Sequence, residues 1–434
     1  ATYGYATWQR LVYQDWDGDE VWDDGSDYRN LYAHINACNT ILGEIGAFEN
    51  TDDEDDLRNI NRIKGESYFL RGSCYFLLAN FYGAPYAAAS AATDPAVPIK
   101  LTNYVEDRSY PRRSVADVYA QVLSDLLEAE RYLADIPQVS VWRADLDAAR
   151  LMLSRVYLYM CDYENAARYA RMVVENGPEL ADLNTFTGAT DFLNPDLSEL
   201  IFSTGASSLP GGVISTERGY TNGDYLRISD ELYESFHPEN PVDLRLEWYV
   251  KDTTFSGYPR CVTYRKSQGS TYSTPDMSDV FVLRTSEAYL NLAEAAACMG
   301  DVDSARLVLN ELRQHRIRTD AFDPSEVNSL SGEELVSFVR EERRRELCLE
   351  GHRWFDLRRY RVAEAYPQEV TLTKVVTNKV QDPNTYEYSV QWRRRFTLPN
   401  DDPAWVLPLP HEELTKNPGM LDNPRSDRSF ELIN

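Results

Sequence analysis

Two stretches of the chain repeat one arrangement of residues. Residues 145–176 and 286–316 align when Ala166 is matched with Ala305, and Asp162 and Asp301 then share a turn position. On both sides of that turn, small and apolar residues recur at the spacing of an α-helix. Small residues at fixed steps allow two antiparallel helices to approach closely. Each stretch therefore predicts a helical hairpin, and both hairpins should pack internally in the same way.

The shared arrangement resembles the tetratricopeptide pattern. The first copy fills the pattern positions with Leu153, Ser154, Tyr157, Ala170, Val173 and Pro178. The second copy fills its positions with Tyr289, Leu292, Ala293, Ala296, Leu309 and Leu312. Three positions of the first copy fit closely, whereas Ala170 and Val173 fit loosely. Because the two copies lie 139 residues apart, the sequence does not predict a contiguous solenoid.

The remaining segments differ in character. Residues 60–82 are apolar on several faces of a helix, which predicts a helix buried among others. Residues 179–282 are rich in Gly, Ser, Thr, Pro and Tyr and lack a helical period, which predicts loops with short strands. We therefore predict one mainly α domain over residues 1–434, a tetratricopeptide-like helical hairpin scaffold with long irregular excursions that contain short strands. The scaffold covers residues 28–82, 115–178 and 283–360, and the loop-rich excursions cover 84–114, 179–282 and 361–434.

Charge and hydrophobicity argue against two classes of protein. The chain has 70 acidic and 44 basic residues, which gives a formal net charge of −26. Affinity for nucleic acid rests on neutralising phosphates, so no nucleic-acid partner is predicted. No run approaches the ~18 to 20 consecutive apolar residues of a membrane span. The six cysteines lie far apart without a C-x-x-C spacing, which predicts mostly buried core thiols in preference to disulfides or metal ligands.

The stretch EERRRELCLEGHRWFDLRRY, residues 341–360, concentrates charge around a glycine. On a helix, Glu342, Glu346 and Glu350 form one stripe at i, i+4 spacing. The glycine is a natural stop in left-handed conformation. Acids alternate with the arginines and bulky apolar residues surround them, which predicts a partly buried ion-pair network in preference to a ligand contact or a catalytic cluster. We expect Glu346, Glu350 and Arg353 to be mostly buried and mutually bonded.

The same stretch closely resembles the R-x-x-E-L-x-x-E-G-x-R-x-x-D-L-x-R-aromatic signature of the SusD/RagB family of surface nutrient-binding lipoproteins. Its glycine, acids and arginines all fall in register with the signature. Other motifs of the family are resembled by YRNLYAHINACNTIL at 28–42, RGSCYFLLANFYGAPY at 71–86, ISDELYESFHPENPVDLR at 228–245, DVFVLRTSEAYLNLAEA at 279–295 and PLPHEELTKNPGMLDNP at 408–424. The resemblance covers nearly the whole chain from Tyr28 onward.

The resemblance implies a scaffold that does no chemistry and needs no cofactor. As in the family, a loop-rich face would capture oligosaccharides outside a Bacteroidota-type outer membrane and pass them to a SusC-type TonB-dependent transporter. Members usually begin with a lipidated cysteine and a longer N-terminal segment, whereas this sequence opens with ATYGYATWQR. We therefore expect a lipid anchor in a start that this sequence does not contain. Two alternatives stay open: peptide capture, as in some members, and a cytoplasmic tetratricopeptide-like protein-interaction adaptor.

The sequence contains no motif typical of catalysis or metal binding. GASSL, residues 205–209, differs from G-x-S-x-G at its last position, and the five histidines are scattered without H-E-x-x-H. DWDGDE resembles the start of an EF-hand loop, but Glu20 stands where glycine is needed and Ser26 where a bidentate glutamate is needed. We therefore predict a binding protein, not an enzyme, with no metal site. A hydrolase with two carboxylates stays open, because their separation is a three-dimensional property.

Aromatic residues outside the predicted helices are the candidates for ligand contact. Sugar rings stack their C–H faces on Trp and Tyr, while amide, carboxylate and guanidinium groups bond the hydroxyls. By the resemblance, glycan contacts come from the segment before YAHIN and from the excursion before VLRTSEA. The predicted ligand contacts are Trp16, Trp22, Tyr258, Tyr264 and Tyr272. The polar groups beside them would come from Arg260, Arg265, Lys266 and Gln268. The next choices are Trp248 and the loop from Gly205 to Tyr225.

Overall fold

The computed structural model describes residues 25–205, 228–253, 261–264, 266, 282–381, 388–425 and 428–433, together with residues 12–14 and 20–22. The backbone alone is described at 12–14, 20–22, 251–253, 261–264, 379, 381 and 388. The chain divides into two compact units. The first unit comprises Ala1–Asp125 and Leu357–Asn434, and the second comprises Leu126–Asp356.

Helices make up most of the regular structure of the described chain. In chain order they are α1 Ser26–Glu44, α2 Glu54–Tyr82, α3 Val115–Leu133, α4 Leu146–Tyr159, α5 Tyr163–Asn176, α6 Asp230–Glu234, α7 Arg245–Trp248, α8 Thr285–Met299, α9 Val302–Gln314, α10 Ser325–Asn328, α11 Gly332–Glu346, α12 Arg353–Arg361 and α13 His411–Lys416. The strands are β1 Val12–Gln14, β2 Glu20–Trp22, β3 Leu200–Phe202, β4 Val250–Thr253, β5 Cys261–Tyr264, β6 Leu283–Arg284, β7 Leu372–Gln381, β8 Tyr388–Leu398 and β9 Glu431–Ile433. This mainly α architecture confirms the predicted fold class. Among the described helices, none is long and apolar enough to cross a membrane.

The first unit is built on the packed helices α1 and α2. Arg71 on α2 donates to Asp125 on α3 at 2.6 and 3.0 Å and to Asn39 on α1 at 2.9 Å. All three side chains are buried, so one guanidinium group joins three helices. Asn39 and Tyr75 also hold an extended segment by donating to the carbonyl of Lys100, at 2.9 and 2.7 Å. These residues of the predicted motifs on α1 and α2 therefore have structural roles.

A three-stranded antiparallel sheet in the order β7, β8, β9 completes the first unit. β7 and β8 pair from Leu372 opposite Leu398 to Gln381 opposite Tyr388, with an irregularity after Asn378. Leu398 is buried at one end of this ribbon. Toward the other end most of the described side chains reach solvent, so both faces of the ribbon are partly exposed there.

The second unit contains both predicted hairpins. α4 packs against α5, and α8 packs against α9. Asp162 and Asp301 cap α5 and α9 by accepting from the backbone N–H groups of Asn165 and Ser304, at 3.1 and 3.2 Å. The predicted shared turn position is therefore confirmed. α8 also packs against α4, α5 and α11, so the two hairpins are neighbours in space although a long excursion separates them in sequence.

Ser154 lies where three helices of the two hairpins meet. Its hydroxyl donates to the carbonyl of Ala166 on α5 at 3.0 Å and accepts from the side-chain amide of Asn291 on α8 at 3.2 Å. All three residues are completely buried. Ser154 and Ala166 are small, and they allow α4 and α5 to approach closely, as the tetratricopeptide-like pattern predicts.

Five of the six cysteines have described side chains, and these five are free thiols. Cys38, Cys74 and Cys348 are buried, as the sequence predicts. Cys161 and Cys298 are half-buried. Burial raises the pKa of Cys38 to about 11 and that of Cys74 to about 12, so both are protonated and unreactive at neutral pH.

Candidate functional site

Glu346, from the charged stretch, lies at the centre of a buried ion network in the second unit. Its carboxylate accepts from Arg316 at 2.9 and 3.0 Å, from Arg284 at 3.0 Å and from Arg245 at 3.2 Å. The hydroxyl of Tyr249 donates to the same carboxylate at 3.0 Å. All five side chains are completely buried. Burial alone would raise the pKa of Glu346, but the three guanidinium groups outweigh it and hold that pKa well below its usual range.

Two further carboxylates complete the network around Arg284. Glu199 bonds Arg284 and also accepts from Arg316 at 2.7 Å. Glu350 accepts from Arg284 at 2.8 and 3.1 Å and from the ammonium of Lys266 at 2.5 Å. Glu199, Glu350 and Lys266 are completely buried. A desolvated charge is costly unless it is paired, so each member of the network needs the others in place.

Arg245 extends the network to the motif that ends at this residue. It pairs with Asp243 through two hydrogen bonds of 2.7 and 2.9 Å, and with Glu342 at 2.7 Å. Glu342 also accepts from Arg345 at 2.6 Å. The D-x-R motif and the glutamate stripe of the charged stretch therefore meet in one cluster.

A second cluster of buried charges joins α8 to the charged stretch. Arg155 donates to Glu287 at 2.5 and 2.7 Å. Arg343 lies 3.5 Å from Glu287, and it donates to Asp356 at 3.0 and 3.1 Å and to Asn291 at 2.7 Å. All five residues are buried. The two motif segments therefore bond one another, and the structural interpretation of the charged stretch is confirmed.

The prediction for Arg353 is wrong. Its side chain is 37% exposed, and its ion-pair partner is the exposed Glu341 at 3.7 Å. α11 ends at Glu346, and Leu349 and Gly351 then adopt positive φ angles of 66° and 85°. Gly351 has the predicted left-handed conformation, but the helix ends earlier than predicted, so Glu350 already lies outside it. The buried stripe therefore does not continue to Arg353.

The sequence patterns did not identify Glu199, Arg316 and Lys266 as members of the network. Each of the three is completely buried and bonds to Glu346, Glu350 or Arg284. Glu199 directly precedes the apolar strand β3, and Arg316 follows the last helix of the second hairpin. In the sequence, a charged residue beside an apolar run indicates that the charge is buried. This signal does not identify the residue with which the charge pairs.

The segment that follows α7, from Tyr249 to Lys266, has both of its ends in the buried ion network. On one side, Tyr249 and Val250 are buried where β4 begins. On the other side, Lys266 follows β5, and its ammonium donates to the carbonyls of Glu346 and Cys348 at 2.7 and 3.1 Å. The same ammonium lies 4.1 Å from the centre of the Tyr249 ring. Lys266 is therefore a structural anchor, and its predicted role as a ligand-contacting group is wrong.

The predicted ligand contacts fall on this excursion and on the N-terminal segment. Three of them, Trp16, Tyr258 and Tyr272, lie outside the described residues. Trp22 ends β2 and pairs with Val12, and Tyr264 ends β5 and pairs with Val250. For Trp22 and Tyr264 the backbone alone is described. All five contacts stay predictions, and two of them occupy two-stranded antiparallel ribbons.

Trp248, a later choice for ligand contact, packs inside the second unit. Its ring meets the ring of Phe186 nearly perpendicularly, with 4.9 Å between ring centres. A Cβ atom at Gly188, whose φ is 69°, would lie 2.3 Å from the Trp248 ring. Glycine is therefore needed for this close approach. Arg260, Arg265, Gln268 and the loop after Gly205 lie outside the described residues.

Grooves open on the described surface, and two of them lie away from the predicted ligand contacts. One, of about 620 Å³, lies beside α9 and is lined by Asp303, Arg306, Leu307, Asn310, Glu311, Gln314, Phe322, Pro324 and Asn328. The other, of about 510 Å³, lies between residues 109–112 and 417–424 of the first unit. Neither groove is lined by a predicted ligand contact.

The chemistry of the described site is structural. Within the described ranges, no group of three or more His, Cys, Asp or Glu side chains is placed to hold a metal ion. His352 is buried, and burial together with the charges of Arg155 and Arg343 holds its pKa well below the usual range. This imidazole is therefore neutral at pH 7. The described ion network holds Tyr249 and Lys266, the two ends of the segment that follows α7.

The two packed hairpins and the ion network beside them define a helical, tetratricopeptide-like scaffold. Profiles of known protein families identify the family to which the chain is similar. The profile of the SusD family matches residues 248–425, and a SusD-like profile described as starch-binding and associating with the outer membrane matches residues 2–158. The chain belongs to the SusD family of carbohydrate-binding proteins.

Relatives and solved structures agree with this assignment. The chain is 24% identical to SusD-like protein P2 of Formosa agariphila over 446 residues, which covers 90% of this chain and 78% of that protein. It is 25% identical to the structure of a putative sugar binding protein from Bacteroides vulgatus, with a TM-score of 0.73 and coverage of 98% and 88%. A laminarin-binding SusD-like protein shares the fold at 19% identity, with a TM-score of 0.61 and coverage of 92% and 85%.

Proposed function

We propose that the protein captures oligosaccharides at the cell surface and passes them intact to a SusC-type TonB-dependent transporter. The observation that carries this proposal is the anchoring of the excursion between Tyr249 and Lys266. Both side chains bond to Glu346, one to its carboxylate and one to its carbonyl. The excursion that resembles the ligand loop of the family is therefore rooted in the interior of the second unit. A loop held in this way loses less conformational entropy when it binds.

Family membership supports a carbohydrate as the ligand. The profile that matches residues 2–158 is described as starch-binding, and a structure 25% identical to this chain is described as a putative sugar binding protein. The same fold carries a laminarin-binding protein, so the scaffold is compatible with a glycan site. Trp and Tyr side chains in the predicted segments would supply the stacking surface that a sugar ring needs.

The glutamates of the two buried ion clusters support binding without catalysis. Burial alone would raise the pKa values of Glu287, Glu342 and Glu346, but the neighbouring guanidinium groups outweigh it and hold all three below the usual range. A general acid for glycoside hydrolysis needs a pKa raised toward neutrality. These carboxyl groups are therefore ionised and paired at pH 7, and we propose that the ligand leaves the protein unchanged.

The location and the partner belong to the same proposal. One matching profile is described as associating with the outer membrane. We propose that a lipid anchor holds the protein at the cell surface beside the transporter. Fractionation of native cells tests this, because co-purification with a TonB-dependent transporter from the outer membrane is expected. Recovery from the cytosol without a transporter would favour the tetratricopeptide-like adaptor instead.

Calorimetry on alanine variants tests the predicted contacts. Trp16, Trp22, Tyr258, Tyr264 and Tyr272 are each changed to alanine and titrated with the tightest-binding member of a panel of oligosaccharides that includes laminarin fragments. At least two variants should lose ~1 kcal/mol or more of binding free energy, which is the order of one aromatic contact. Tyr104→Ala is the matched control, because Tyr104 is 60% exposed and lies outside both predicted segments. It should bind like the parent.

Two results would contradict the proposal in different ways. If all five variants bind like the parent while remaining folded, the site lies elsewhere on the protein. If no oligosaccharide binds but peptides do, the protein belongs with the peptide-capturing members of the family.

A further inference from the structure

On the ribbon of β7 and β8, one arginine lies against two aromatic rings. Arg394 on β8 lies opposite Val376 on β7 and opposite Leu432 on β9. Side chains alternate along a strand, so Trp392 lies on the same face as Arg394. The Arg394 guanidinium lies over the rings of Trp392 and Phe430, 4.1 Å from each ring centre. The guanidinium is therefore within cation–π distance of two aromatic rings at once.

Arg394 has no carboxylate partner and no hydrogen-bond acceptor among the described residues. Only its Nε is shut off from solvent, so the two terminal nitrogens reach the surface. The next residue, Arg395, projects from the opposite face and pairs with Glu431 at 2.8 Å. Acidic residues outnumber basic ones in this chain, 70 against 44, so carboxylates are plentiful. Surface ion pairing therefore does not explain why the Arg394 guanidinium is held in place without one.

The two rings prepare Arg394 for a ligand with two oxygens side by side. Cation–π contact favours a fixed plane for the guanidinium and keeps water from its faces. The open edge still carries N–H groups in a rigid fork. Such a fork matches a carboxylate through two parallel N–H···O bonds. The geometry therefore selects a carboxylate or a group of the same shape.

The same face carries polar and apolar groups around Arg394. Lys374 is exposed on β7, and Asn378 lies opposite Trp392. Leu432 is 65% exposed and Phe430 is 45% exposed. Ammonium and amide groups bond hydroxyls, and exposed apolar side chains accept the C–H face of a sugar ring. This combination suits a saccharide better than an isolated anion.

We propose that the ribbon face, defined by Lys374, Asn378, Trp392, Arg394 and Phe430, binds the carboxylate of a uronic acid in an acidic saccharide. The proposal rests on saccharide capture as the function and adds a ligand class and a second site. That site is separate in sequence from the predicted contacts at 16–22 and 258–272. A formal net charge of −26 opposes binding of polyanions by charge alone, so recognition here depends on the local geometry.

Calorimetry with trigalacturonate and with its methyl ester tests the ribbon face, because the two probes differ only in whether the carboxylates are free. The full chain should bind the free acid at least about tenfold more tightly, the order of one charge-assisted contact. Arg394→Gln should abolish the preference. Arg394→Lys should remove most of it, since an ammonium cannot form the fork. Arg58→Gln is the matched control, since it removes an exposed arginine of α2 and should leave the preference unchanged.

The outcomes separate this proposal from the proposed function. Equal affinity for the two probes, or a preference that survives Arg394→Gln in a variant with an unchanged melting temperature, overturns the ribbon face. Polyglutamate that binds as tightly as trigalacturonate overturns the saccharide assignment, because it identifies a general carboxylate site. If the chain binds no member of a panel of neutral and acidic oligosaccharides, saccharide capture itself fails. If the chain binds neutral oligosaccharides equally well with and without Arg394→Gln, and shows no preference for the free acid, the ribbon face is overturned and saccharide capture stands.

Discussion

At the scale of single residues, partners decide what each arginine of the charged stretch and its neighbourhood does. Arg284 faces Glu199, Glu346 and Glu350, and all four side chains are completely buried. Arg353, which belongs to the same family signature as Glu346, stays partly exposed beside one distant acid. Desolvation of a charge is offset only when its partners are complete, whereas an exposed pair contributes little. Membership of a motif therefore does not fix the energetic role of a charge.

Removal of Arg284 should strongly destabilise the fold. Arg284→Met leaves three buried carboxylates without their shared partner, and loss of one member of a buried pair typically costs ~3 to 5 kcal/mol. Arg353→Met is the matched control and should cost about 1 kcal/mol or less, since its pair is exposed. Urea unfolding followed by circular dichroism measures both. Equal stability of the two variants would show that the buried network does not stabilise the fold.

At the scale of elements, small residues and caps fix the two hairpins. Asp162 and Asp301 adopt nearly the same conformation, with φ −81° and ψ 75° against φ −80° and ψ 72°, and each accepts a backbone N–H three residues later. Ala166 is completely buried beside α4, where its carbonyl accepts from Ser154. The first hairpin then packs on α8 of the second. The repeat is therefore interrupted in sequence and continuous in space.

A larger side chain at Ala166 should disturb the packing of α4 against α5. Ala166→Leu adds three carbons to a site with no exposed surface, and overpacking of this kind typically costs ~1 to 3 kcal/mol. Ala37→Leu is the matched control, because Ala37 is exposed on α1. It should change the free energy of unfolding by less than about 0.5 kcal/mol. Thermal unfolding of both variants provides the comparison, and an Ala166→Leu variant as stable as Ala37→Leu would contradict the predicted packing.

At the scale of the whole molecule, the buried ionised groups set how stability depends on pH. Glu287, Glu342 and Glu346 are buried, yet guanidinium charges hold their pKa values below the usual range. Such groups stabilise the fold above their unfolded pKa of about 4.3 and lose that contribution as pH falls. His352, whose pKa is lowered first by burial, likewise loses its contribution as pH falls below about 6.5. Burial raises the pKa of Asp145 to about 6 and also raises the pKa of Asp147. These two groups act with the opposite sign, which partly offsets the loss from His352.

The free energy of unfolding should therefore decrease as the pH is lowered from 7. A shallow decrease is expected between about pH 6.5 and 4.5, where His352 acts, and a steep decrease below about pH 4.3, where the carboxylates act. The formal charge of −26 changes little above pH 5, because most carboxylates stay ionised, so relief of repulsion does not reverse the trend. Denaturant unfolding at a series of pH values measures the curve. Stability that rises between pH 5 and pH 3 would contradict this assignment.

Features that depend on local spacing could be predicted from the amino-acid pattern alone. The two hairpins, their shared aspartate turn, the buried helix that ends at Tyr82 and the left-handed conformation of Gly351 all follow from residues close together in the chain. Helical periodicity and backbone preferences act over a few residues, so a pattern is enough to predict them. The structural role of Glu346 and Glu350 was predictable for the same reason, because a stripe of acids among apolar residues requires buried partners.

Contacts between residues far apart in the chain could be identified only from the folded structure. Glu199, Arg316 and Lys266 join the network from separate segments, and Lys266 thereby becomes an anchor where the sequence predicts a ligand contact. Arg353 turns outward because the chain leaves the helical register before reaching it. The pairing of a buried charge depends on long-range packing, which no local pattern encodes. The predicted aromatic contacts depend on exposure in the folded loops in the same way, so the sequence nominates them and binding experiments must decide among them.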